Sequence, residues 1–194
     1  MLSRRFDDAL GFASQIHRKQ VRKVSNTPYI AHLLSVCALV LEYGGDEDCA
    51  IAGLLHDAVE DQGGREMADK IGLRFGDRVR GIVLECSDRT DKTDLPWRAR
   101  KEAYIRAIAT KTEDAILVTT CDKLHNATAI LQDLRSDGLA VYRRFSVGRD
   151  DVLWYYRELA DALSQRAPYD LAFRLSVTVA QLESETTLKL SSDD

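Results

Sequence analysis

The chain has 194 residues, of which 45% are hydrophobic and 30% charged, fractions that are ordinary for a soluble globular protein. The formal net charge of −4 argues against general binding to nucleic acid or to an anionic membrane. No segment approaches the roughly 18–20 consecutive apolar residues of a membrane span, and the charged N-terminus lacks the apolar part of a secretory signal. We therefore expect a cytoplasmic protein with a single core and no membrane or nucleic-acid polymer as partner.

Apolar residues recur at three- and four-residue spacing, which predicts an all-α fold. One face of a first helix runs from Phe6 to His17, and a second helix is predicted from about Pro28 to Tyr43. Asp46 is a candidate N-cap for a third, very apolar helix. Since that helix is apolar on nearly every side, we expect it to be the buried central helix and to continue as far as Asp61.

The second half of the chain predicts a further series of helices joined by short loops. They cover about residues 65–74, 77–86, 97–110, 113–134, 150–164 and 168–185. The four cysteines, Cys37, Cys49, Cys86 and Cys121, include no pair with CxxC spacing. Buried, reduced thiols are therefore favoured over a zinc site. The sequence carries no signal for an oligomeric state.

Ionisable residues gather at the end of the predicted third helix. His56 and Glu60 are four residues apart, as are Asp57 and Asp61, so each pair is expected on one helical face. Carboxylates are disfavoured at the C-terminal end of a helix and repel one another, which suggests a cation beside them. The alternative is that Glu60 and Asp61 are merely solvated acids in a loop. The His-Asp pair does not exclude this alternative, because a match to a dipeptide is common by chance.

Two further residues strengthen the case for a metal ion. His32 and Asp122 both lie in apolar helical surroundings, where an unpaired polar group is costly. One divalent ion bound by His32, His56, Asp57 and Asp122 would satisfy all four side chains. A mixture of imidazole and carboxylate ligands suits manganese, iron, zinc or cobalt better than calcium.

The order of these residues, H…HD…D, resembles that of the HD superfamily of metal-dependent phosphohydrolases. Four segments resemble more closely the hydrolase domain of RelA/SpoT-type enzymes and the stand-alone small alarmone hydrolases. They are residues 17–23, 27–32, 54–61 and 122–126. Together they extend the resemblance over about residues 6 to 160, and the last two segments are the most specific.

The resemblance implies a fold and a set of roles. It implies an all-α HD-type domain at residues 1–165, with residues 166–194 forming a C-terminal helix and tail packed on the same domain. It implies one divalent metal ion, usually Mn²⁺, and an acidic pair that positions and deprotonates the attacking water. The metal ligands would be His32, His56, Asp57 and Asp122, the acidic pair Glu60 and Asp61, and the residues lining the nucleotide pocket Arg22, Lys23 and Asn126.

The implied activity is hydrolysis of (p)ppGpp, a small phosphorylated nucleotide, to GDP or GTP and pyrophosphate. Two positions depart from the family pattern: Leu33 replaces a common proline, and Thr128 replaces a common arginine. The second departure leaves the substrate open. One alternative is therefore an HD phosphohydrolase acting on another nucleotide, such as NADPH losing its 2′-phosphate. Another is a degenerate HD module that binds a nucleotide without hydrolysing it.

Overall fold

The computed structural model describes residues 1–22, 26–88 and 95–192, and most of these residues are helical. The α-helices of these ranges, in chain order, are α1 Arg4–Ile16, α2 Ile30–Glu42, α3 Glu47–Leu55, α4 Ala58–Gln62, α5 Gly64–Phe75, α6 Asp77–Cys86, α7 Trp97–Ala107, α8 Glu113–Asp137, α9 Arg149–Ser164 and α10 Tyr169–Ser192. Two 3₁₀ segments, Ile108–Thr110 and Gly138–Arg144, join them. Within the described ranges the only β feature is an isolated bridge between Val21 and Pro28, so the all-α prediction is confirmed.

Helix α3 is the centre of the core, as its sequence predicts. Every residue of α3 from Cys49 to Leu55 is buried, and the helix contacts α1, α2, α6 and α8. Asp46 caps its N-terminus, where the side chain accepts a hydrogen bond from the Cys49 amide. Helices α2 and α8 also contact each other. Helices α2, α3 and α8 therefore pack together as the central three helices of the core.

The expectation of one continuous helix through Asp61 is wrong. Helix α3 ends at Leu55, His56 and Asp57 form a turn, and α4 begins at Ala58. Glu60 and Asp61 therefore lie in the first turn of α4 rather than in the last turn of α3. Acidic residues are favoured in a first turn, so the helix-dipole argument for a cation does not hold at these two positions.

The C-terminal helices form a second layer against α8. Helix α10 packs on both α8 and α9, and its buried residues include Leu171, Leu175 and Leu182. All four cysteines are free, and three of them are buried. No described helix is both long and apolar enough to cross a lipid bilayer.

Gly53 permits the close approach of α2 and α3. A Cβ atom at this position would lie 3.3 Å from the Cα atom of Cys37 and 3.4 Å from a methyl group of Val40, both on α2. A side chain at residue 53 would therefore push against the backbone of α2. The spacing of the two helices depends on the absence of that side chain.

Gly53→Val should lower the free energy of unfolding by about 1–3 kcal/mol, because the added methyl groups overpack the contact between α2 and α3. Chemical denaturation followed by circular dichroism measures this change. Gly11→Val is the matched control, since Gly11 is an exposed helical glycine with open space around its Cβ position, and it should stay within about 0.5 kcal/mol. Equal losses in the two variants would contradict the packing role of Gly53.

Candidate active site

Helices α2, α3 and α8, together with the turn after α3, bring the four predicted metal ligands to one point. Nε2 of His56 lies 3.1 Å from Oδ2 of Asp57 and 3.5 Å from Oδ1 of Asp122. Nε2 of His32 lies 3.5 Å and 3.2 Å from the same two oxygens. Ligand atoms of His32, His56 and Asp57 all lie within 4.8 Å of one another, and Asp122 completes the cluster from α8.

The second nitrogen of His56 fixes the orientation of its ring. Nδ1 lies 2.9 Å from the carbonyl oxygen of Gly53, and a carbonyl oxygen only accepts hydrogen bonds. Nδ1 must therefore carry a proton and donate, which leaves the lone pair of a neutral ring on Nε2. Among the described residues Nε2 has no hydrogen-bond partner, so it is available to a cation.

His125 is the hydrogen-bond partner of His32, as the Gly53 carbonyl is of His56. The two Nδ1 atoms are 2.8 Å apart, so one ring donates to the other. Burial, His32 and Arg22 lower the pKa of His125 to about 4, which keeps its ring neutral and able to accept. A His32 ring that presents the lone pair of Nε2 to the cluster carries its proton on Nδ1 and donates it to His125. Nε2 of His32 also has no hydrogen-bond partner among the described residues.

The two carboxylates of the cluster are anionic at neutral pH. Burial opposes ionisation of Asp122, but Lys123 and the two imidazoles hold the pKa of this carboxyl well below its usual range. Burial likewise opposes ionisation of Asp57, and His56 and His32 outweigh it and lower that pKa. Tyr29 donates a hydrogen bond to Oδ2 of Asp57 over 2.5 Å, so the phenol orients the carboxylate.

The cluster fits a divalent metal ion. Its two buried imidazole nitrogens lack partners among the described residues, and two anionic oxygens lie beside them. Burial would lower the pKa of His56, yet Asp57 and Asp122 raise it well above its usual range. The two carboxylates therefore favour a cation at Nε2 of His56, and a metal ion bound there would take the place of the proton. The donor set of two nitrogens and two carboxylates is one that first-row transition metals accept.

Glu60 and Asp61 lie beside the cluster but have different partners. Burial of the Glu60 carboxyl group, with negative charge from Asp88 and Asp57, raises its pKa to about 7. The Glu60 and Asp88 carboxyl groups share a hydrogen bond. Asp61 instead accepts a hydrogen bond from the side chain of Gln20 over 2.7 Å. Glu60 is therefore placed to take up a proton near neutral pH, and Asp61 is fixed by the segment that follows α1.

Two of the three predicted nucleotide-binding residues join the cluster through a chain of hydrogen bonds. Arg22 donates to Oδ1 of Asn126 over 2.9 Å, and Asn126 donates to Oδ1 of Asp122. Lys123 donates to the other oxygen of Asp122 over 2.7 Å. The third predicted residue, Lys23, lies outside the described residues. Thr128 turns its hydroxyl to the carbonyl of Leu124 in its own helix.

The cluster lies in a cleft of about 600 Å³, within the range of small-molecule sites. Its walls include Glu60, Asp61 and Asn126, and also Lys101 and Lys123. The sequence assigned no role to Lys123, Tyr29, Gln20 or Asp88. Lys101 belongs to a basic cluster of the sequence, with Arg98 and Arg100, that could be either a solvated helix face or a site for a phosphorylated small molecule. Tyr29 falls inside a segment that resembles the family, so its position was a signal. Asp88 and Lys101 come from segments without such a motif, and only the fold brings them here.

Comparison with known proteins identifies the family. A model described as "HD domain" matches residues 9–153, about three quarters of the chain. The histidine and aspartate cluster between helices defines the chain as a protein of the metal-dependent hydrolase class. The chain belongs to the HD domain family.

Relatives with curated names agree with this assignment. Guanosine-3′,5′-bis(diphosphate) 3′-pyrophosphohydrolase MESH1 of Xenopus tropicalis is 40% identical over 66% of this chain and 68% of its own length. The human protein of the same name is 38% identical over 61% of this chain and 65% of its own length. The chain thus matches about two thirds of these relatives. A GTP pyrophosphokinase of Streptomyces antibioticus is 29% identical over 89% of this chain but only 21% of its own length.

Solved structures confirm the fold. A metazoan ortholog of SpoT that hydrolyzes ppGpp superposes with a TM-score of 0.75 and 28% identity, covering 93% of this chain and 97% of that one. The crystal structure of lmo0812 from Listeria monocytogenes gives a TM-score of 0.66 at 28% identity, covering 80% of this chain and 99% of that one. The all-α HD fold is therefore confirmed.

His125→Leu should weaken the binding of a divalent metal about tenfold to hundredfold, because the His32 ring loses the partner that orients it. Titration calorimetry with Mn²⁺ measures this effect. Ser136→Ala is the control on the same helix, since Ser136 is exposed and its hydroxyl bonds to its own helix backbone, and it should bind as the parent protein does. An unchanged affinity in His125→Leu would show that His125 does not support the metal site.

Proposed function

We propose that this protein is a metal-dependent 3′-pyrophosphohydrolase of (p)ppGpp, releasing pyrophosphate and GDP or GTP. The observation that carries the proposal is the cluster of His32, His56, Asp57 and Asp122 in a nucleotide-sized cleft, with the Glu60 carboxyl beside it. The names of the relatives and the activity of the SpoT ortholog point to the same substrate.

The four clustered side chains are the proposed ligands of one metal ion, and Mn²⁺ is the ion we favour for this donor set. A bound divalent ion lowers the pKa of a coordinated water and offsets phosphoryl charge. The roles of the surrounding residues follow from what each can donate or accept. Tyr29 and His125 fix the orientation of two ligands, and Asn126 and Lys123 fix a third.

Glu60 is the proposed general base. Its pKa of about 7 lets the carboxylate accept a proton from water near neutral pH. Hydrolysis forms a bond between the water oxygen and the phosphorus on the 3′-oxygen, and it breaks the bond from that phosphorus to the 3′-oxygen. The proton taken up by Glu60 balances the proton that the departing 3′-oxygen requires. Asp61, held by Gln20, orients the water.

The substrate-binding role falls to Arg22, Lys23 and Asn126. Arg22 and Asn126 are bonded to each other on the cleft wall, and the guanidinium keeps further N–H groups that can donate to phosphate oxygens. A cytoplasmic location is proposed because the substrate is a cellular nucleotide and the cysteines are free thiols.

NADPH is the second candidate substrate. Thr128 satisfies its hydroxyl within α8, so this position adds no positive charge to the cleft where the family commonly has an arginine. A cleft with fewer positive charges would suit a 2′-monophosphate, which carries less negative charge than a pyrophosphate group.

The manganese-loaded protein should release pyrophosphate from ppGpp, and the test compares ppGpp and NADPH under identical conditions. Product formation is measured by nucleotide chromatography together with separate assays for phosphate and pyrophosphate. Release of phosphate from NADPH alone would replace the proposed substrate with the second candidate. Metal binding without turnover of either compound would favour a nucleotide-binding module.

Replacement of the proposed general base and replacement of a proposed metal ligand should have different effects on metal binding and turnover. Glu60→Gln should retain the metal but lose turnover by about 10²–10⁴-fold, because the amide cannot accept the water proton. Asp122→Ala should lose both metal and activity, since it removes a proposed ligand. Metal content by atomic emission and initial rates provide the two measurements. If both variants lost metal equally, Glu60 would be a ligand rather than the base.

A further inference from the structure

Lys101 lines the cleft and forms a partly buried ion pair with Asp88, which lines an adjoining pocket together with Arg100. The Asp88 side chain is 5% exposed and that of Lys101 18% exposed. Lys101 donates to Oδ2 of Asp88, and Arg100 lies 3.5 Å from the same oxygen. Two cations therefore share the Asp88 carboxylate, which also shares a hydrogen bond with the carboxyl group of Glu60. While Glu60 carries a proton, the group has one positive charge in excess. Such an excess beneath a cleft wall favours an anion in the cleft.

Lys101 lies in the cleft near Glu60, the proposed general base. It lines the same cavity as Glu60, Asp57 and Lys123, and it is close enough to Glu60 for their charges to interact. Its ammonium group also lies 4.9 Å from the centre of the Tyr155 ring. An ammonium has three N–H donors, and the pair with Asp88 uses one of them. No second hydrogen bond of this ammonium group is found among the described residues, so the remaining donors can serve a ligand in the cleft.

A second lysine stands near the first. Lys123 also lines the cleft, and its charge acts on Lys101 together with burial to lower the pKa of Lys101. Because like charges repel, two partly buried ammonium groups on one wall raise the free energy of the folded protein. An anion bound between them would reduce this repulsion. Their carboxylate partners lie on different elements: Asp122 belongs to α8, and Asp88 follows α6.

We propose that Lys101, held in place by Asp88, binds the terminal phosphate of a pyrophosphoryl group whose inner phosphate lies at the proposed metal site. Lys101 is then the residue that distinguishes a pyrophosphate ester from a monophosphate ester. Asp88 is a positioning residue that acts through Lys101. This inference rests on the proposed function and names the feature of the substrate that the site selects.

The distribution of charge explains why a second phosphate is selected. Asp57 and Asp122 belong to the proposed metal site and Glu60 lies beside it, so a phosphate that extends beyond this site needs cations from the cleft wall. A monophosphate extends only to the cluster, whereas a pyrophosphoryl group carries additional negative charge beyond it. Lys101 is placed to meet that charge with a charge-assisted hydrogen bond.

The test measures the binding of inorganic pyrophosphate and of inorganic phosphate to the manganese-loaded protein by titration calorimetry. Lys101→Met should lower the affinity for pyrophosphate about tenfold to hundredfold, the effect of losing a hydrogen bond to a charged group. Its affinity for phosphate should change less than about threefold. Arg106→Met, an exposed residue on the same helix, is the control and should bind both anions as the parent protein does.

Asp88→Asn is the second variant, and it keeps the shape of the side chain while removing its charge. Because Asp88 acts through Lys101, it should also weaken pyrophosphate binding selectively, by less than Lys101→Met does. The double variant should bind pyrophosphate no more weakly than Lys101→Met alone, since coupled residues are not additive. Additive losses of pyrophosphate affinity would show that Asp88 has a separate structural role, and they would contradict its proposed role in positioning Lys101.

The results for the two proposals are separable. If Lys101→Met and Asp88→Asn both bind pyrophosphate like the parent protein, the inference fails even where ppGpp hydrolysis is observed. The same holds if they weaken phosphate and pyrophosphate equally. If the parent protein hydrolyses no ppGpp but Lys101→Met still loses pyrophosphate selectively, the proposed nucleotide is wrong and the pyrophosphoryl subsite stands.

Discussion

The convergence of two imidazole nitrogens and two carboxylates at a buried point is the constraint on which the rest of the structure depends. Four polar groups in such a place are costly unless each is paired or shares a cation. They come from α2, the turn after α3, and α8, so these elements must meet with little freedom. The glycine contact between α2 and α3 and the almost complete burial of α3 serve that requirement.

Hydrogen bonds behind the cluster prepare it for a ligand. The Gly53 carbonyl and the His125 ring each accept a hydrogen bond from an imidazole and so point the other nitrogen inward. Tyr29 and Asn126 do the same for the carboxylates by occupying defined oxygens. Such outer contacts determine both ring orientation and ligand basicity. The donor atoms are thereby aimed before any ligand arrives.

The sequence predicts that His32, His56, Asp57 and Asp122 lie together, because a polar residue inside an apolar helix needs a partner and one cation can satisfy several such residues at once. His32 and Asp122 could be selected on that ground alone. The break at His56 and Asp57 could not, because both residues keep right-handed backbone angles, with φ of −58° and −94°, and the helical spacing continues across it. Asp88 and Lys101 were also missed as a pair, since their proximity depends on how α6 and α7 are placed and no local pattern encodes it.

The proposed ligands are far apart along the chain, from residue 32 to residue 122, and this separation has a thermodynamic consequence. An ion held by all of them binds the folded chain in preference to the unfolded one, so it acts as a reversible cross-link among α2, the turn after α3, and α8. At a free ion concentration a hundredfold above its dissociation constant, such linkage adds about 2.7 kcal/mol to stability. The melting temperature of the protein would then report the metal supply of its surroundings.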